Sequence, residues 1–224
     1  QRVYSKISTA TNVFGNVEIA NTQSPPADTT TTTGVLLRDN MVLQDASNLT
    51  FTDGVLVTGA NKVIVNNTAN TAVNYGGANS DYASSWVYGT IRRYLANADN
   101  GEHVFPVGLA NRPNKAILTN NSLPNAATFY LDCKFRAVPT NIATSFPAGL
   151  SECHSTYLTV DPEGVWSMHP TGIIDGTYNL KLYFNGFGLV SPTDDYKFGI
   201  IRRPSDPGNG STWALASGNC VPTT

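Results

Sequence analysis

Three histidines, His103, His154 and His169, are the side chains best suited to move protons near neutral pH. None stands in triad spacing, and no G-x-S-x-G elbow occurs. Cys153 and His154 are adjacent, but neighbours on a strand face opposite sides, which separates a nucleophile from its base. Paired carboxylates for glycoside hydrolysis would have to come from Asp161, Glu163, Asp175, Asp194 and Asp195. Each of these sits in a turn-like context, where Asp shapes the backbone. Asp194-Asp195 would need a third oxygen ligand to hold Ca²⁺, and EF-hand spacing is missing. A polysaccharide lyase needs a basic residue amid acidic ligands, and Arg38, Lys62, Arg92 and Arg93 form no such cluster. Trp86, Trp166 and Trp213, with ten Tyr, could stack on sugar rings or fill a β core, the usual home of strand aromatics. The chain carries no CxxC or Cys/His cluster for zinc. The expectation is a protein that is not an enzyme and uses no cofactor and no metal.

The elements that must position these residues fall into three zones. Residues 1–33 read as an extended N-terminal arm. Val13, Phe14, Val17 and Ile19 lie in one short alternating strand, and Pro25-Pro26 and a run of five Thr follow it. The arm cannot build its own core, so it must lie on a sheet of its own chain or of a neighbour. Residues 34–100 repeat short apolar triplets, Val35-Leu36-Leu37, Met41-Val42-Leu43, Leu49-Thr50-Phe51, Val55-Leu56-Val57 and Val63-Ile64-Val65. Asn, Asp and Gly corners separate them, such as Arg38-Asp39-Asn40 and Thr52-Asp53-Gly54. That spacing predicts a short β-solenoid, with an antiparallel meander as the alternative. Residues 101–224 hold about eight candidate strands, which predicts an Ig-like antiparallel β-sandwich. In 128–137, Phe129, Leu131, Cys133 and Phe135 share one face. In 178–184, Tyr178, Leu180, Leu182 and Phe184 do the same.

The phase of 128–137 points Cys133 inward, and Cys153 opens a following strand. Cys133–Cys153 is therefore the preferred disulfide, and a buried, reduced Cys133 is the alternative. Cys220 is left idle or free to join chains.

Composition narrows the class. Only 13% of the 224 residues are charged, while 26 are Thr and 23 Asn, which disfavours long helices. A hydrophobic fraction of 41% suffices for a core. A net charge of −2 with two separate Arg pairs offers no basic footprint for nucleic acid. No apolar run reaches the ~20 residues of a membrane helix, so no membrane insertion is expected. Gln1 in place of Met reads as the mature end of a secreted chain. The expected location is extracellular, at the cell surface.

The segments Phe51–Asn67, Tyr88-Gly-Thr-Ile-Arg-Arg-Tyr94 and His103-Val-Phe-Pro-Val-Gly108 carry a resemblance. They resemble secreted cell-surface proteins of the Bacteroidota, in which an Asn/Gly-cornered solenoid leads into a β-sandwich. The resemblance covers about 51–120 and implies location and architecture rather than chemistry. Asp28-Thr29-Thr30 is similar to that phylum's O-glycosylation triplet, with Thr29 as the implied acceptor.

Two functions fit this reading. The first is an extracellular structural subunit that binds copies of itself, the arm strand around Val13, Phe14, Val17 and Ile19 adding to a sheet of the next subunit in a filament or fibre. The second is a carbohydrate-binding or adhesive module of a larger surface protein, its partner a cell-surface glycan stacked on Trp86, Trp166 or Trp213.

Overall fold

The computed structural model describes residues 2–3, 13–21, 35–75, 85–96, 99–123, 129–138, 151–152, 155–156, 163–172, 176–183, 201–202 and 214–215. The fold is all-β with mixed and antiparallel sheets. Among the described residues the one helical element is the 3-10 turn Asn70–Ala72. The strands are β1 (Arg2–Val3), β2 (Val13–Phe14), β3 (Val17–Ala20), β4 (Val35–Leu37), β5 (Met41–Leu43), β6 (Leu49–Val65), β7 (Val73–Tyr75) and β8 (Ser85–Tyr94). They continue as β9 (Glu102–Phe105), β10 (Val107–Leu109), β11 (Arg112–Pro113), β12 (Ala116–Asn120), β13 (Tyr130–Arg136), β14 (Ser151–Glu152) and β15 (Ser155–Thr156). The last are β16 (Val165–Thr171), β17 (Tyr178–Leu182), β18 (Ile201–Arg202) and β19 (Ala214–Leu215). Gln1–Arg136 and Trp166–Asn185 form one compact unit, and Ala137–Val165 with Gly186–Thr224 a second. The second contains the short antiparallel pairs β14–β15 and β18–β19.

The apolar triplets become strands because every second side chain has somewhere dry to go. In β4 and β5 the first and third residues are buried: Val35, Leu37, Met41 and Leu43. Pairing among β1 to β8 is parallel throughout. It forms three columns. Along the first, Arg2 pairs Leu36, Val35 pairs Leu56, Leu56 pairs Val87, and Val87 pairs Val107. Along the second, Val13 pairs Val42, Val42 pairs Ile64, and Ile64 pairs Arg92. Along the third, Val17 and then Val73 flank Leu49, while Ile19 and Tyr75 flank Phe51. An antiparallel meander would have paired neighbouring triplets. Here the Asn, Asp and Gly corners turn the chain onward, so each triplet meets one in a later turn of the chain.

Two details differ from the sequence expectation. The single strand expected over Val13–Ile19 is split into β2 and β3. Leu49–Val65 is a single bent strand rather than three separate triplets. Gly54 and Gly59, with φ of +84° and +59°, take the bends. A Cβ on Gly54 would lie 1.9 Å from the Asn21 carbonyl oxygen, so that corner can only be glycine without displacing β3.

Beyond β8 the pairing changes sense. β13 joins β8 antiparallel, with Asp132 opposite Arg92 and Cys133 opposite Ile91, so one sheet runs across residue 100. In β13 the expected alternation is realised, Leu131, Cys133 and Phe135 being buried. β9, β12 and β17 make a separate antiparallel sheet in that order. There the expected apolar face of 178–184 is only partly covered. Tyr178 is 52% exposed and Leu180 and Leu182 are half-buried, because β17 is the outermost strand of its sheet; Phe184 lies outside the described residues.

Candidate functional site

The strands expected to form an assembly arm pair with strands of their own chain. Val13 and Phe14 pair parallel with Val42 and Leu43, and Val17 to Ala20 with β6, all within the same chain. Val13, Phe14 and Val17 are half-buried, and Ile19 is buried. Among the described residues β1, β2 and β3 each have one strand partner, and no described strand lies on their opposite edge. Open edges are the ordinary site of strand addition.

Corner side chains tie these strands to the next turn of the chain. Asn16 Oδ1 accepts from the Asn48 N–H at 2.8 Å. Asn67 Nδ2 donates to Asn48 Oδ1 at 3.1 Å and to the Ser47 carbonyl at 3.2 Å. One corner is therefore marked by Asn in three successive turns of the chain. A second corner follows the same logic, the Lys62 N–H donating to Asn40 Oδ1 at 2.9 Å and Asn61 Nδ2 to the Leu37 carbonyl at 3.3 Å. Stacked Asn side chains satisfy corner backbone that the ladder itself cannot reach. Thr52 Oγ1 donates to Glu18 Oε1 at 2.6 Å, fixing the exposed carboxylate of β3.

β8 carries a buried charge. Arg93 is fully enclosed, and its guanidinium donates to the carbonyls of Val104 (3.1 Å), Ala69 (2.8 Å) and Asn70 (3.3 Å). Burial pulls its pKa down to about 9, with Asp99 acting the other way. His103 is also enclosed, and its Nε2 lies 3.0 and 3.2 Å from the Asp99 carboxylate oxygens. Burial and then the Arg93 charge lower the His103 pKa, against the pull of Asp99. On the outer face of the β8–β13 pair, Asp132 accepts from Arg92 Nε at 2.6 Å and Nη2 at 2.9 Å, and from Lys62 at 2.5 Å. Arg92 stacks on the Tyr130 ring at 3.8 Å. Neither cluster was anticipated, yet the signal was present. Adjacent arginines on one strand must face opposite sides, so one of Arg92 and Arg93 had to be interior.

The remaining candidates resolve as follows. Trp86 is 5% exposed, packs on Val55 and Val57, and donates its indole N–H to the Leu109 carbonyl at 2.7 Å. It is a core side chain and offers no ring to a sugar. Trp166 donates to the Asn114 carbonyl at 2.8 Å and packs on Phe135 at 4.7 Å. His169 Nε2 lies 2.8 Å from Ser167 Oγ on the same strand. Cys153, the expected bridge partner of Cys133, lies outside the described residues. Cys133 is a free, fully buried thiol whose pKa is raised by burial and then by Asp132, because its strand phase seals it among apolar side chains. Cys153, His154, Trp213, Thr29, Cys220, Asp161, Asp175, Asp194 and Asp195 lie outside the described residues.

No protein-family profile, curated protein sequence or solved structure matches the chain.

Proposed function

We propose that the chain is an extracellular structural subunit, without enzymatic activity, that assembles with copies of itself into a filament or fibre. In this reading 34–100 is a short β-solenoid, 101–224 contributes the antiparallel sheets of a β-sandwich, and the arm strands form the solenoid's open first rung. The observation that carries it is the one-sided pairing of β1, β2 and β3. A stack whose first strands are paired on one side only among the described residues, with corners already built from repeating Asn, accepts a further strand without new chemistry. Strand addition at one end to a different surface of the next copy is heterologous and so builds an open polymer. Low charge and abundant Thr and Asn suit such an interface and an extracellular setting.

The test is deletion of residues 1–33, followed by negative-stain microscopy and sedimentation. The full chain is expected to form filaments and the truncated chain to remain dispersed. Identical polymers from both would remove the arm strands from the mechanism.

A further inference from the structure

The open first rung needs an acceptor, and the three columns of the stack end differently. The first column ends in β10 and the antiparallel β11, and the second in β13 and its partner β16. The third ends at β7, which among the described residues pairs only with β6; β9 packs beside β7 and belongs to the separate sheet β9–β12–β17. β11 contains Pro113 and β16 contains Pro170. A proline at a sheet edge lacks a donor and its ring obstructs an incoming strand, which is how natural edges are blunted. β17, Tyr178-Asn-Leu-Lys-Leu182, carries none. Among the described residues it pairs only with β12. At the near end, β3 is the longest strand, with four residues against two each for β1 and β2.

We infer that β17 is the acceptor edge and that a second copy of this chain supplies β3 to it. The inference rests on the self-assembly reading above. The side chains match in one register. Val17 and Ile19 of β3 face the apolar side and Glu18 faces solvent. Leu180 and Leu182 of β17 face the half-covered apolar side and Lys181 faces solvent. Setting Val17 beside Leu180 places Glu18 beside Lys181 and Ile19 beside Leu182. The pairing covers two half-buried leucines and joins opposite charges on the outer face. Both charges are already held in position, Glu18 by Thr52 and Lys181 by Glu102.

Two full-length variants, Glu18→Cys and Lys181→Cys, are mixed under assembly conditions with mild oxidation, and the cross-linked peptides are identified by mass spectrometry. Filaments containing a disulfide between position 18 of one chain and position 181 of the other are expected. Filaments whose cross-links exclude that pair overturn the acceptor assignment and leave the self-assembly reading standing. A wild-type chain that never polymerises overturns both. Charge exchange gives a second readout that does not depend on cysteine. Glu18→Lys and Lys181→Glu are each expected to raise the critical concentration about fivefold at low salt, and the double exchange to return it to near wild type. Equal effects in the single and double variants would also overturn the pairing.

Discussion

Replacing Gly54 with Ala separates the hold on the first rung from the stability of the rest. Gly54 has φ +84°, and an added Cβ would lie 1.9 Å from the Asn21 carbonyl oxygen and 2.9 Å from Asn21 Cβ. Left-handed backbone costs a residue with a Cβ about 1–2 kcal/mol. Forced overpacking adds about 1–3 kcal/mol, for a total of roughly 2–5 kcal/mol if β3 stays in place. Against this stand the Val17 N–H bond to Asn48 O at 3.0 Å, the Asn21 N–H bond to Asp53 O at 2.8 Å, and Ile19 at 5% exposure. At about 1 kcal/mol per bond and about 1.5–3 kcal/mol for the isoleucine, these contribute roughly 3.5–5 kcal/mol, and the β3–β6 ladder and the Asn16 and Glu18 bonds add to them. The strain falls on Asn21 at the end of β3, so the variant should loosen 17–21 rather than unfold the chain. Gly59→Ala is the matched control, since its φ is +59° but nothing lies within 4 Å of the added Cβ. Hydrogen exchange read by mass spectrometry over 17–21 and 49–53 makes the comparison. Gly54→Ala should raise exchange there by roughly a hundredfold, a shift of about 3 kcal/mol. Gly59→Ala should stay within about tenfold of wild type. Equal protection in the two variants would refute the Asn21 contact as the cause.

Two further outcomes follow from buried groups. Burial keeps the Cys133 thiol protonated and shielded, so a thiol reagent at pH 8 should label its peptide only after denaturation; labelling of the native chain there would contradict the assignment. His103 has a folded pKa below its ordinary 6.5, so as pH falls through about 6.5 the unfolded chain takes up the proton first and stability is lost progressively below that value. Urea unfolding at pH 7.5 and pH 5 should show this loss, and His103→Asn should flatten it; an unchanged slope in the variant would assign the loss elsewhere.

The strands themselves were readable because short apolar triplets and Asn/Gly corners are local signals. β4 and β5 were delimited to the residue by composition alone. The parallel sense was harder, since a triplet looks the same whether its partner is the next one or the one a turn later. Only the closeness required at Gly54 hints at the answer, and it appears once Asn21 is known to lie above it. The β13 phase was readable from alternation, and it correctly turned Cys133 inward. The preferred disulfide followed from that phase plus proximity along the sequence, which says nothing about whether two side chains meet. Trp86 was ambiguous for a physical reason. An indole serves equally as a core filler or a sugar platform, and only its bond to Leu109 and its burial decide.

The size of β3 limits what the proposed interface can do alone. A four-residue strand adds about two to four backbone hydrogen bonds, each worth about 0.5–1.5 kcal/mol net. Covering two leucines that are already half-buried adds about 2–3 kcal/mol. Association costs about 4–15 kcal/mol in lost translational and rotational freedom. The balance is close to zero, which corresponds to molar dissociation, so β3 on β17 by itself leaves the chain monomeric at micromolar protein. A filament visible by microscopy therefore requires lateral contact between rows as well, and its assembly should be cooperative in concentration. In the proposed assembly low charge would have a physical role, because rows lying side by side would repel one another if each carried a high net charge.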